Sequence, residues 1–323
     1  MADGRRSSVI RFIGVLAGLS VLAGLPAVLP VYWTLILTEV LIMALFAMSF
    51  NLLFGYTGLL SFGQGGIFGV GAYTAALMLR GGIESLPAVV GAGTLAGGLV
   101  ALLVGWFCVR RDEIFFAMIT LAFGMMLFTV AHNWRELTGG SDGLPIMIIP
   151  PLRLAGAEVS LYDPVAMYGF VLAAVTLGAL ILWRVVRSPF GLMLTAVREN
   201  KERLAFVGAH VGRVRLMAFA LAGAVAGLCG VLFGLFNAMA TPDFMHWGFS
   251  ARPVMMTILG GSGVFFGPAF GAAVFFALEQ AITEVTDNWM IILGGILIPV
   301  VIFFPRGILG TLIHWTRRRR GAR

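Results

Sequence analysis

An all-α, polytopic membrane fold is predicted by three features of the sequence: its composition, the length of its apolar runs and the placement of its charges. Of 323 residues, 59% are hydrophobic and 11% are charged, against about 25% charged in an ordinary soluble domain. A water-soluble fold of this length would lack the polar residues to cover itself. The apolar residues run in blocks of about 20, the length that carries a helix across roughly 30 Å of hydrocarbon. A transmembrane β-barrel would need segments of alternating polarity, and stretches such as Leu95 to Val109 or Val165 to Trp183 show none.

Breaking the apolar runs at charge or Gly/Pro clusters predicts crossings near Ile10 to Leu29, Leu35 to Phe54, Leu59 to Leu79, Pro87 to Val109 and Ile114 to Ala131. Arg5, Arg6 and Arg11 before the first run resemble a signal sequence, but similar segments follow throughout, so a first membrane helix is expected. The polar stretch 132–163 carries Gly139, Gly140, Asp142, Pro145, Pro150 and Pro151 and reads as a loop. Further crossings are expected at Pro164 to Trp183, Leu216 to Met239, Trp247 to Gly260, Val264 to Gln280 and Trp289 to Phe304. The total is about ten membrane segments, in a range of 8 to 10, forming one transmembrane domain over residues 1–323. The segment near 247–263 is short, carries Arg252 and Pro253 and ends among Gly260, Gly261 and Gly263, which predicts a broken or half-length helix. A faint likeness between Gly65 to Gly69 and Gly261 to Gly267 fits an inverted repeat, since the two helices would run in opposite directions. Chance recurrence of Gly and Phe explains it equally well.

The charges orient the chain. The connection 184–215, with Arg187, Arg198, Lys201, Arg203 and Arg213, is the most basic internal loop and is expected in the cytoplasm. Counting outward places both termini, Arg110 and Arg111 inside, and the loop 132–163 and the acidic link Glu284 to Asp287 outside. This topology accounts for the formal charge of +7 without a nucleic-acid partner.

Catalytic chemistry has no foothold. The sequence contains no GxxxxGK[ST] loop, and its only lysine, Lys201, lacks a glycine-rich lead-in, so the chain is not a P-loop ATPase. Neither GxSxG nor HExxH nor a close Cys/His group occurs. No catalytic residue, metal or cofactor is therefore expected, and Cys108 and Cys229, inside apolar runs, are read as inert thiols.

Two segments invite a functional reading. The run Ser61 to Tyr73 is dense in glycine, which admits close helix approach or a local break. Ser61 and Gln64 share one helical face, and polar groups inside a bilayer face protein or water. With Asn51, Gly65 and Gly66 they are the candidates for a solute pathway, helix packing being the competing account. In the second segment, a short amphipathic helix around Arg198, Glu199, Asn200 and Glu202 would offer its charges to a cytoplasmic partner. Leu194, Val197, Leu204 and Val207 would supply buried contacts and Gly208 a positive-φ exit. A solvated basic loop is the alternative. Glu39 and Glu279, near the ends of apolar runs, are expected at the membrane interface rather than in a pathway.

Several of these runs carry a family resemblance. Tyr56 to Gln64, Gly71 to Tyr73, Ala196 to Asn200, Ala218 and Phe219 with Ala226 to Leu228, and Leu259 to Pro268 resemble, in order, the LivM-type permeases of branched-chain amino acid ABC importers. The resemblance runs from about Leu35 to Gly310. It implies one half of an ATP-dependent importer in the bacterial inner membrane. The implied partners are a second, LivH-type permease, two cytoplasmic ABC ATPases and an external solute-binding protein. It also assigns 184–215 to ATPase coupling. Arg215 stands where the family often has Lys. Permeases for urea and short amides share similar motifs, and a stand-alone secondary transporter is a further alternative; the latter would usually show acidic pairs or sodium-ligating clusters in mid-membrane.

Overall fold

The computed structural model describes residues 22–27, 29–111, 113–154, 157–284, 286, 289–304 and 307–311. Arg5, Arg6, Arg11, most of the first expected crossing and the basic tail 317–320 lie outside the described residues. Among the described residues, nine apolar helices follow residue 30. They are α1 (Val31–Thr57), α2 (Gln64–Arg80), α3 (Leu86–Cys108), α4 (Glu113–Asn133), α5 (Pro164–Val186), α8 (Val211–Phe236), α9 (Trp247–Gly260), α10 (Gly267–Thr283) and α11 (Trp289–Phe303). Two short helices, α6 (Pro189–Glu199) and α7 (Lys201–Phe206), lie in the basic connection, and a single helical turn, Arg135–Thr138, lies in the loop 132–163. Of the nine, α1, α3, α4, α5 and α8 are long and apolar enough to cross a membrane by length and composition.

The loop 132–163 folds into turns and two minimal antiparallel pairs. Leu144 pairs with Ala240 across chain segments, and Leu152 to Leu154 pairs locally with Ala157 to Val159. The first pair ties this loop to the exit of α8. Pro164 follows Asp163, whose carboxylate accepts from Ala166 N–H at 3.2 Å, so α5 starts with its cap and proline in the favoured order.

The centre of the bundle is α8, which packs on α3, α2 and α1. Small residues make this possible. Gly93 and Gly97 on α3 and Gly223 and Gly227 on α8 repeat at four-residue spacing, and a Cβ on Gly97 would stand 2.7 Å from the Gly227 Cα. On the α2 side, a Cβ on Gly71 would stand 2.1 Å from the Gly227 carbonyl oxygen. Backbones at such range gain close dispersion contacts, the force that associates helices where water does not drive them together. Around this seam lies an aromatic group of Phe46, Phe68, Phe233, Phe244 and Phe249, with Phe68 4.9 Å from both Phe46 and Phe249 between ring centroids. Cys108 and Cys229 are free and buried. At the head of α8, buried Arg215 reaches Glu113 at the start of α4, 3.4 Å away.

Two boundaries differ from the expectation, and that of the short helix near Pro253 agrees with it. The crossing expected from Leu59 begins as helix only at Gln64, because Gly58 at φ 76° ends α1 and residues 58–63 are non-helical. The short helix α9 ends at Gly260, followed by Gly261 at φ 110°, and folds back on α10. The amphipathic helix of the basic connection is two helices. Asn200, at φ −163° and ψ 99°, breaks the path and its Oδ1 accepts from Arg203 N–H at 2.8 Å, capping α7.

Candidate functional site

The lower part of the site grows from the way α1 ends. Gly58 takes φ 76°, and Leu59 N–H bonds back to the Leu53 carbonyl at 3.1 Å, a Schellman-type closure. In a continuing helix Leu59 N–H would have bonded to Gly55, so that carbonyl is left without its intrahelical donor. Arg198, from α6, supplies one: its Nη1 donates to Gly55 O. A cation at a helix C-terminus also complements the helix dipole. Arg198 therefore reaches the end of α1 with its guanidinium while its side chain, like those of Glu199 and Asn200, stays exposed at the surface.

One turn before Gly55 on the same helix is Asn51, buried, whose Nδ2 donates to Val264 O at 3.5 Å and whose Oδ1 has no partner. A Cβ on Gly55 would stand 2.0 Å from that Oδ1 and 2.4 Å from Ser262 O. The end of α1, the turn between α9 and α10, and α6 thus meet in one contact chain running from Arg198 through Gly55 to Asn51 and the 262–264 backbone. Thr257 of α9 adds a long hydroxyl bond to Ala47 O at 3.4 Å.

The upper part is built where the open segment 58–63 enters α2. Ser61 is fully buried and its Oγ accepts from Gly63 N–H at 3.3 Å. Thr120 of α4 accepts from Phe62 N–H at 3.3 Å, and Ser250 of α9 accepts from Gly65 N–H at 2.9 Å. Gln64 sits among them with 0% exposure, and neither its Oε1 nor its Nε2 has a hydrogen-bond partner. A buried polar group without a partner costs about 1 to 3 kcal/mol, so the carboxamide is the least satisfied group of this cluster. Gly65 leaves room for the Ser250 hydroxyl, whose Oγ would be 2.6 Å from an added Cβ. On Gly66 an added Cβ would stand 3.1 Å from the Gly124 Cα of α4. Gly66 thus packs helix on helix, whereas Gly65 exposes its backbone to a polar side chain.

Of the residues expected at a pathway, the structure brings Ser61, Gln64 and Gly65 together and sets Asn51 in the separate cluster with Val264. Ser250, Thr120, Thr257 and the 262–264 carbonyls were not anticipated. The half-length helix around Arg252 and Pro253 was the available signal for Ser250; nothing in sequence marked Thr120. In the basic connection, Leu194 and Val197 are consumed inside the chain at 0% and 3% exposure, so they are not free to enter a partner. Phe206, Val207 and Leu192, at 91%, 82% and 73%, are the most exposed of the connection's large apolar residues. Gly208 adopts φ 87°, and Ala209 N–H returns to Leu204 O at 3.4 Å.

A polytopic bundle with broken helices and unpaired amides at its centre suits a conduit rather than an enzyme, and comparison with known proteins agrees. Residues 32–301 match the family described as branched-chain amino acid transport system / permease component. The chain belongs to this family. It is 28% identical, over 89% of its own length and 72% of the relative's, to the high-affinity branched-chain amino acid transport system permease protein LivM of Escherichia coli K12. The LivM protein of Salmonella typhimurium is 29% identical over 85% of this chain and 69% of its own. The LivH permease protein of the same organism is 27% identical over 83% of this chain and 91% of its own. No solved structure matches. Both LivM and LivH are similar to this permease chain along most of its length, so the family shares one fold between them. The chain is a multi-pass inner-membrane transport subunit of an ABC importer, not an enzyme.

Proposed function

We propose that this permease forms half of a pathway for branched-chain or similar amino acids, with a LivH-like chain as the other half. Two cytoplasmic ATPases power it and an external binding protein delivers the solute. The match to LivM over most of the chain carries the reading. In this account the chain makes ten crossings, with both termini and 184–215 in the cytoplasm, 132–163 outside, and the pathway passing Asn51, Ser61, Gln64, Gly65 and Gly66. The coupling segment works in two layers. Glu199, Glu202, Phe206 and Val207 face the ATPase, with Asn200 and Gly208 shaping the turn between and after the helices. Arg198 faces the other way, into α1, and passes movement of α6 to the end of the helix that bears Asn51.

Reconstitution tests the whole reading in one preparation. The complex of both permeases with the ATPases should co-purify and move binding-protein-delivered leucine at the expense of ATP, and the lone chain in liposomes should move none. Arg198→Ala should keep the ATPases bound and hydrolysing while uptake falls about tenfold or more, the scale of losing a charged hydrogen bond of about 1.5 to 3 kcal/mol. Leucine uptake by the lone chain on a proton or sodium gradient would reverse the assignment. Wild-type uptake by the Arg198 variant would remove the α6 to α1 link. External labelling of a cysteine at position 200 but not at 142 would overturn the orientation.

A further inference from the structure

At the opposite end of α1 from Arg198, three charged side chains gather inside what is otherwise an apolar helix surface. Arg252 Nη2 of α9 lies 3.8 Å from Glu279 Oε1 of α10, with the two side chains 25% and 19% exposed. Glu39 belongs to α1, which packs against both α9 and α10. The level of this group can be read from the aromatic residues nearby. Tyr32 and Trp33 at the head of α1 and Trp247 at the head of α9 are about half exposed, the position such rings take at a membrane–water boundary. Glu39 follows Tyr32 by seven residues and Arg252 follows Trp247 by five, which sets these two charges about 8 to 10 Å deeper along their helices, with Glu279 nearer the boundary. Gln280, beside Glu279, donates its Nε2 to Tyr32 OH and so fastens α10 to the head of α1 there.

Charged side chains at that depth face protein or water, not lipid. The group is also unfinished as an ion pair. The 3.8 Å separation is too long for a hydrogen bond. Glu279 Oε2 is buried with no hydrogen-bond partner. The guanidinium rests instead over the Phe249 ring, 5.5 Å from its centroid. A structural pair would close to bidentate contact, as Arg and carboxylate readily do. Here a cation and a carboxylate with a buried, unpartnered oxygen are held 3.8 Å apart, and Glu39 lies on the helix packed against both of theirs.

We infer that Arg252, Glu39 and Glu279 form a station for a zwitterionic α-amino acid on its way through the permease. Arg252 receives the α-carboxylate and the two glutamates receive the α-ammonium. The inference rests on the proposed importer function and deepens it. It locates a charge-reading step about 24 Å along α1 from the Arg198 contact, given sixteen residues of helix between Glu39 and Gly55. It also accounts for two acidic residues that the sequence places at interfaces without a role. A neutral amide has neither charge, so this station would favour amino acids over urea-like solutes.

The test uses the complete importer in proteoliposomes with binding protein carrying labelled leucine. Arg252→Gln, Glu279→Gln and Glu39→Gln should each lower the maximal uptake rate about tenfold or more, while the partner permease and ATPases co-purify in wild-type amounts. The exchanged pair, Arg252→Glu with Glu279→Arg, keeps one charge of each sign but reverses the polarity offered to the solute, and uptake should stay low. Recovery of uptake to within twofold in the exchanged protein would make the group a structural ion pair and overturn the station. Wild-type uptake in the three single variants would overturn it too, as would loss of the partner permease from the purified complex, which would make the group a subunit contact. Absence of ATP-driven uptake by the wild-type complex would instead bring down the importer reading beneath it.

Discussion

The two flanks of α2 are built on opposite plans. Toward α8 the contact is backbone on backbone: Gly71 faces Gly227, Gly97 faces the same residue from α3, and no polar side chain intervenes. Toward α9 and α4 the contact is polar and incomplete, with Ser250 and Thr120 bonded to the chain around Gln64 and the Gln64 amide bonded to nothing. Close-packed interiors resist continuous deformation, whereas weakly satisfied polar contacts exchange partners at little cost. In the proposed pathway, α2 would keep its contact with α8 and exchange partners on its α9 and α4 side.

The sharpest way to break this contrast is to disturb the fixed flank. In Gly71→Val a Cβ would stand 2.1 Å from the Gly227 carbonyl oxygen, backbone against which no rotamer change helps. The cost should exceed the about 1 to 3 kcal/mol of ordinary overpacking. The expected outcome is loss of monodisperse protein in detergent, read by size-exclusion of a fluorescent fusion. A Gly71→Val chain that folds and transports normally would mean that α2 and α8 separate readily, and the two flanks would no longer differ.

Much of this arrangement was legible in the sequence. Nine of the crossings expected after residue 30 contain helices because long apolar runs leave the backbone no other way to satisfy itself in hydrocarbon. The half-length helix near Pro253 was readable from its glycines, and the positive φ at Gly208 from its place after a helix. What sequence could not supply was direction. Arg198 reads as a surface charge on a basic loop, yet it serves the Gly55 carbonyl, because Gly58 steers Leu59 N–H away from that carbonyl 143 residues earlier in the chain. Leu194 and Val197 read as the docking face of an amphipathic helix. They are buried because that face packs on the chain's own bundle. Periodicity reports that a helix has an apolar face, not which protein covers it.

The free flank is tested by Gln64→Leu. The substitution keeps the side chain's bulk while removing two buried atoms that lack partners. Removing such groups should stabilise the resting protein by about 1 to 3 kcal/mol, seen as a higher melting temperature in detergent. Uptake by the complete importer should fall, because the amide is then missing from the state in which it would be used. A lower melting temperature would show that the amide is paired in the resting protein and would sharpen the contrast in the other direction.

The smallest effect is expected at Gly208, where the coupling segment leaves α7. Its φ of 87° favours glycine, and a Cβ there would meet nothing within 4 Å. Gly208→Ala thus carries only the backbone cost, about 1 to 2 kcal/mol for a left-handed L-residue, partly offset by about 0.4 to 1 kcal/mol from the stiffer unfolded chain. Gly208→Leu carries the same backbone cost and adds bulk into open space. In the lone chain the two variants should therefore melt within about a degree of each other. In the assembled importer they should differ if this surface is covered by an ATPase. Phe206 and Val207, 91% and 82% exposed beside it, are the apolar groups that such a partner would bury. Lower ATPase co-purification for Leu than for Ala would place the docking edge at this turn. Identical behaviour in the complex would leave the turn solvated, and the contact would then have to be carried by the exposed face of α6 around Leu192, itself 73% exposed.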